Sequence, residues 1–227
     1  MCGEALFSPA FLERGDAVCG LCQRMRPPFE RATAYGNYAS GLRDLIHLLK
    51  YQQVRPAANV LGRMLAEAVA GLEAEIPVGA LIIVPVPLHA HKRSQRGFNQ
   101  AELIARAALK QLARPDRFQL STGVLVRRRE TGSQIGLTRH QRRENLRGAF
   151  GVTDARQVLK RHVLLVDDVF TTGTTAAECA RVLHRAGAAQ VWVATVARTL
   201  KIADELAVPE DLPEESSEGR HVMAAHG

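Results

Sequence analysis

The chain has 227 residues, 46% of them hydrophobic, which suits one α/β domain with appendages and excludes wholesale disorder. No apolar run approaches the roughly 20 residues of a membrane span, and the opening MCGEALFSPAFLERG lacks the basic start and apolar stretch of a signal peptide, so a cytoplasmic protein without membrane insertion is expected. The formal charge is +7, but seven acids and one arginine follow Lys201, leaving 29 basic and 16 acidic residues and a charge of +13 on the body, which suits an anionic partner: the phosphates of a small ligand, or nucleic acid.

Residues 1–30 read as a small separate unit that holds three of the four cysteines and shows little helical period. In YGNYASGLRDLIHLLKY the Tyr/Gly part suits a short hairpin, and the apolar spacing of LRDLIHLLKY predicts a helix. Residues 57–75 read as an amphipathic helix. ALIIVPVP (80–87) reads as a buried strand ended by prolines. Helix is expected from Asn99, a plausible N-cap, to Ala113. A strand is expected over Thr122–Arg127, and a long polar segment then runs to about Arg147. Phe150–Val152 is a short strand, His162–Asp167 an apolar strand, Thr174–Ala186 a helix closed by Gly187, and Gln190–Ala197 a last apolar strand. From residue 80 onward strands and helices alternate, which predicts a mainly parallel sheet flanked by helices, with its ligand site at the carboxyl ends of the strands. The domain reading is therefore 1–30, 31–200, and an acidic tail over 201–227 with the composition of disorder.

The stretch VLLVDDVFTTGTT (163–175) concentrates the chemistry. Asp167 and Asp168 sit at the tip of an apolar strand, and Thr171, Thr172, Gly173, Thr174 and Thr175 form a hydroxyl-rich turn into a helix. Gly173 permits a close approach of the backbone, and the turn's N–H groups with the helix N-terminus make an anion cradle. Adjacent carboxylates can accept from neighbouring hydroxyls or help hold Mg²⁺. Diol binding beside phosphate binding describes a ribose 5-phosphate. Other readings are a solvated turn, a nucleotide site's Mg²⁺ strand, for which no GxxxxGK[ST] precedes, and a receiver-domain acidic pocket, for which too little chain follows.

This stretch resembles the signature of type I phosphoribosyltransferases, which bind phosphoribosyl pyrophosphate (PRPP). The wider chain, over roughly residues 1–200 and through the cysteine-bearing start, YGNYASGLRDLIHLLKY, VPVPLHAHKRSQRGFNQA and RRRETGSQIGLTRHQRRENLRGAF, is similar to the ComF/GntX branch, linked to competence and the use of external DNA. The resemblance implies the type I phosphoribosyltransferase fold over 31–200. It implies Asp167 and Asp168 on the ribose hydroxyls as catalytic residues, Thr171–Thr175 on the 5-phosphate, and Mg²⁺ with PRPP. It places Lys92, Arg93 and Arg96, in a basic loop, at the pyrophosphate. It also places Gln134, Arg143 and Asn145 in a lid that closes over PRPP and excludes water.

Cys19-Gly-Leu-Cys22 has a metal-knuckle spacing, and Cys2 lies sixteen positions before Cys19. This resembles the family's N-terminal zinc ribbon with its first cysteine cut away, so zinc is expected at Cys2, Cys19 and Cys22 in a full-length form, Met1 being an internal methionine or the site degenerate. Cys179, mid-helix, is expected as a buried apolar residue. Two functions follow: a transferase that moves the phosphoribosyl group to an unidentified base, or a non-catalytic PRPP or nucleotide sensor that engages DNA or an uptake-machinery partner.

Overall fold

The computed structural model describes residues 1–2, 19–131 and 138–199. The tail reading over 201–227 lies outside them. A short helix, α1 (Gly20–Arg24), precedes β1 (Ala32–Asn37), α2 (Ser40–Tyr51), α3 (Ala57–Ala70), β2 (Leu81–Pro85), α4 (Ala90–Arg96) and α5 (Gln100–Leu109). Then come β3 (Phe118–Leu120), β4 (Leu125–Arg127), α6 (Arg139–Leu146), β5 (Phe150–Val152), β6 (His162–Phe170), α7 (Thr174–Arg185) and β7 (Gln190–Arg198).

Five strands pair in the order β1-β7-β6-β2-β3, every pair parallel, so the expected mainly parallel sheet flanked by helices is what the chain forms. Central strands of such a sheet are covered on both faces and therefore read as unbroken apolar runs. In β6, Leu164 and Val166 pack with α2, α3 and α5, whereas Val163 and Leu165 pack with α7. This period-two alternation continues into the site. Trp192 of β7 is fully buried on the first face and meets the His162 ring edge-on at 5.8 Å.

Two readings are corrected. The Tyr/Gly segment is no hairpin: β1 is a parallel edge strand on β7, with Ala34 opposite Thr195. Leu125–Arg127 and Phe150–Val152 pair with each other as a separate antiparallel ribbon, outside the main sheet. In the polar segment between them, Thr138 and Gln141 form a capping box that starts α6. Among the described residues no helix is long and apolar enough to cross a membrane.

Helices α3 and α5 cross at Gly62, where an added Cβ would lie 2.8 Å from the Ala107 carbonyl carbon and the Ala108 nitrogen. The obstacle is backbone, so the helices must part. Gly62→Ala gains about 1 kcal/mol of helix propensity but loses roughly 3 kcal/mol to overpacking. A net destabilisation of roughly 2 kcal/mol is expected, read as a lower urea midpoint at unchanged slope. An unchanged or raised midpoint would show that this crossing is not tight.

Candidate functional site

Strand β6 extends to Phe170, so Asp167 and Asp168 lie within it and not at its end. Alternation hands them to different neighbours. Asp167 lines a cavity of about 20 Å³ with Thr171, Gly173, Thr175 and Thr195. Asp168 turns towards α2 and α5, where Lys50 Nζ forms an ion pair with its Oδ2 and Gln100 Nε2 donates to its Oδ1 at 3.4 Å. Both members of the pair are largely buried, with side chains 17% and 7% exposed. Gln100 in turn accepts from Arg96 Nη1 at 2.6 Å, and the Arg96 guanidinium stands 5.6 Å from the centre of the Tyr51 ring. A polar chain thus runs from the end of α4 through Gln100 to Asp168 and on to Lys50.

The two carboxyls are unequal. Burial, and then the negative charge of Asp168, push Asp167 well above the usual carboxylate range. Burial would raise Asp168 as well, but Lys50, with Gln100 donating, brings it below that range. Lys50 is itself held above an ordinary lysine: burial works against its charge, and Asp168 overcomes that. Of the two, Asp168 is the one matched by a cation, the Lys50 ammonium.

Gly173 has φ +72° and is the N-cap of α7 without a side-chain cap bond, so the first N–H groups of the helix are open to a ligand. The hydroxyls of Thr172 and Thr174 meet at 2.8 Å. On the other side of the turn lies a larger cavity, about 220 Å³, lined by Thr171–Thr174, by the arginines Arg26, Arg143, Arg181 and Arg198, and by Phe29 and Phe170. Arg198 ends β7; its Nη1 donates to the Cys2 carbonyl at 3.1 Å and its guanidinium lies 5.8 Å from the Phe170 ring centre.

Arg96 and Arg143 are therefore brought to the site, the first through Gln100 and the second as a cavity wall. The expected basic loop is a correction: residues 90–96 form the helix α4, on which Lys92 and Arg93 stand exposed. Asn99 caps α5 as expected, accepting from Ala101 N at 3.1 Å and donating to the Val86 carbonyl at 3.0 Å. Asn145 lies on α6 with its carbonyl accepting from Arg129 at 2.9 Å, and Gln134 lies outside the described residues. Lys50 and Gln100 were not singled out from sequence. The available signal was position: Lys50 falls four residues after Ile46 on the buried face of an otherwise apolar helix stripe.

The sulfurs of Cys2, Cys19 and Cys22 lie within 4.8 Å of one another, Cys2 and Cys19 at 3.4 Å. They offer three of the four ligands of a structural zinc, and no fourth His, Cys or carboxylate joins them among the described residues. Burial raises the Cys19 thiol, so a metal would have to displace its proton. Cys2 and Cys22 also wall the larger cavity, which puts this cluster beside the threonine turn. Cys179 is buried in the core, as expected.

Residues 99–211 match the phosphoribosyl transferase domain family. The chain is 38% identical over 185 residues to the DNA utilization protein YhgH of Escherichia coli strain K12, covering 80% of this chain and 78% of that protein. It is 31% identical over 185 residues to Competence protein F of Haemophilus influenzae, covering 79% and 78%. A hypoxanthine phosphoribosyltransferase from Staphylococcus aureus aligns over 62% of this chain and 64% of its own, with 12% identity and a TM-score of 0.39.

Proposed function

Because the chain belongs to the phosphoribosyl transferase domain family, in the ComF-type branch with YhgH and Competence protein F, we propose that it binds PRPP at the carboxyl end of β6 and transfers its phosphoribosyl group to an acceptor base. The observation that carries this reading is the run of one strand, one turn and one helix. It presents a carboxyl pair, then hydroxyls and free N–H groups, in the order in which PRPP presents its diol and its 5-phosphate.

In this reading the α7 N-terminus and the threonine hydroxyls take the 5-phosphate, and Asp167 and Asp168 accept from the ribose hydroxyls. Arg96, with Lys92 and Arg93 on the same helix, faces the pyrophosphate. In this reading Mg²⁺ arrives on the diphosphate, since Asp168 is already matched by Lys50. Once bound, that ion would offset charge on the departing pyrophosphate. The bond from the anomeric carbon to pyrophosphate oxygen breaks, a bond to the acceptor nitrogen forms, and positive charge develops on the ribose between them. The residues of this chain contribute position and fixed charge. Arg143 of α6, a wall of the larger cavity, sets a cation beside the ligand. The names of the relatives suggest that the product or the bound state serves the use of DNA.

Calorimetry with PRPP and Mg²⁺ tests the first half, and pyrophosphate release over a panel of purine, pyrimidine and related bases tests the second. Saturable one-to-one binding and release with at least one base are expected. Absence of PRPP binding would overturn the reading, and binding with no release from any base would make the protein a sensor.

A further inference from the structure

Lys50 belongs to no motif that the proposed reaction uses, yet it reaches into the centre of the site. It projects from the last turn of α2, at the end of the apolar stripe that anchors that helix, and forms its ion pair with Asp168 where both groups are largely removed from water. An ammonium placed there is costly unless it acts on its partner. Gln100 supports the same carboxylate from α5, and Arg96 holds Gln100. Two helices that are distant in sequence thus converge on one oxygen pair.

We propose that Lys50 is a positioning residue: from α2 it holds Asp168 as a charged, oriented acceptor for a ligand hydroxyl. This rests on the PRPP reading of the site and names what keeps its clamp ready. Without Lys50 two neighbouring carboxyls would share a buried place, and like charges there cannot both ionise near neutrality. Nothing would then fix which of the two carboxyls is the charged acceptor, and no ammonium would orient it.

The other groups that face this pair are few. Asp167 on β6 acts on Lys50 and hydrogen-bonds with Asp168, and Tyr38, just before α2, acts on Lys50. Cys179 on α7 and Arg127 on β4 interact with Asp167 from the opposite face. Gln100 is neutral, and Arg96 stays charged throughout. None of these can replace the ammonium at Asp168 Oδ2.

The test compares wild type, Lys50→Met and Lys50→Arg in the full chain, by calorimetry with PRPP and Mg²⁺ from pH 6 to pH 8.5. Taking the ratio of wild-type to variant affinity cancels titration of the ligand. The ratio for Lys50→Met is expected to be at least tenfold. Lys50→Arg is expected to stay within about threefold at every pH, because it keeps the cation. An affinity of Lys50→Met equal to wild type overturns the proposal. Wild type with ¹³C-labelled aspartate gives a second reading that needs no variant: the Asp168 carboxyl carbon should remain in its ionised form below the pH at which an ordinary aspartate titrates. Titration of Asp168 at or above the ordinary range overturns the proposal even if Lys50→Met does not fold. Failure of wild type to bind PRPP would overturn the functional reading alone, since the carboxyl titration still decides the role of Lys50.

Discussion

Asp168→Asn is expected to destabilise the protein by about 3 kcal/mol at neutral pH, the loss typical of removing one partner from a buried ion pair, whereas Asp167→Asn should leave it as stable as wild type or more so. The two residues are adjacent, and the substitutions are the same size. Their opposite outcomes follow from their surroundings. Asp168 has its titration lowered in the folded chain, so its contribution is present above the ordinary aspartate range and is lost as pH falls through its lowered value. Asparagine removes that contribution and leaves the Lys50 ammonium buried without its counter-ion. Asp167 has its titration raised, so its contribution is full below the ordinary aspartate range and is lost as pH rises from there through the raised value. Asparagine resembles the protonated form, and it should remove the loss at high pH. Urea denaturation at pH 5, 7 and 9 measures both. Equal shifts in the same direction for the two variants would mean that the pair is not divided as the geometry indicates.

Gly173→Ala is expected to cut PRPP affinity at least tenfold, while its cost to stability stays at roughly 1–2 kcal/mol, the usual penalty for a side chain in the left-handed region. At φ +72° the added Cβ would lie 2.5 Å from Phe170 Cζ. Phe170 has nowhere easy to go. It packs edge-on against Phe29, with ring centres 6.2 Å apart, and sits under the Arg198 guanidinium. Displacing it shifts the wall of the larger cavity and re-aims the turn's N–H groups, which act through direction. Calorimetry beside a thermal melt separates the two effects. Wild-type affinity in a folded Gly173→Ala variant would show that the turn is not the phosphate cradle.

Much of this arrangement was legible in the sequence, for a physical reason. Strands covered on both faces must be apolar along their length, which made β2, β6 and β7 plain, and the threonine turn carried its own glycine. What escaped notice depends on contacts between distant residues. β1 is an edge strand whose ATAYGN lacks an apolar run, and it is a strand because β7 pairs with it. β4 and β5 were each visible as short segments, but their pairing joins Leu125 to Val152. The helix α4 has no apolar stripe to announce it and buries none of its residues. Lys50 and Gln100 acquire their meaning only from Asp168, 118 and 68 positions further on.

The alternation of β6 has a mechanical side. The helices α2, α3 and α5 and the helix α7 build two separate cores, one on each face of the sheet. Asp168 is tied to the first layer and Asp167 faces the second. A ligand whose neighbouring hydroxyls engage both carboxyls would act as a rivet through the end of the sheet, fastening the layers on its two faces. Binding energy spent at one small spot would then be shared by both halves of the domain, and local opening of either half would have to break the same pair of hydrogen bonds.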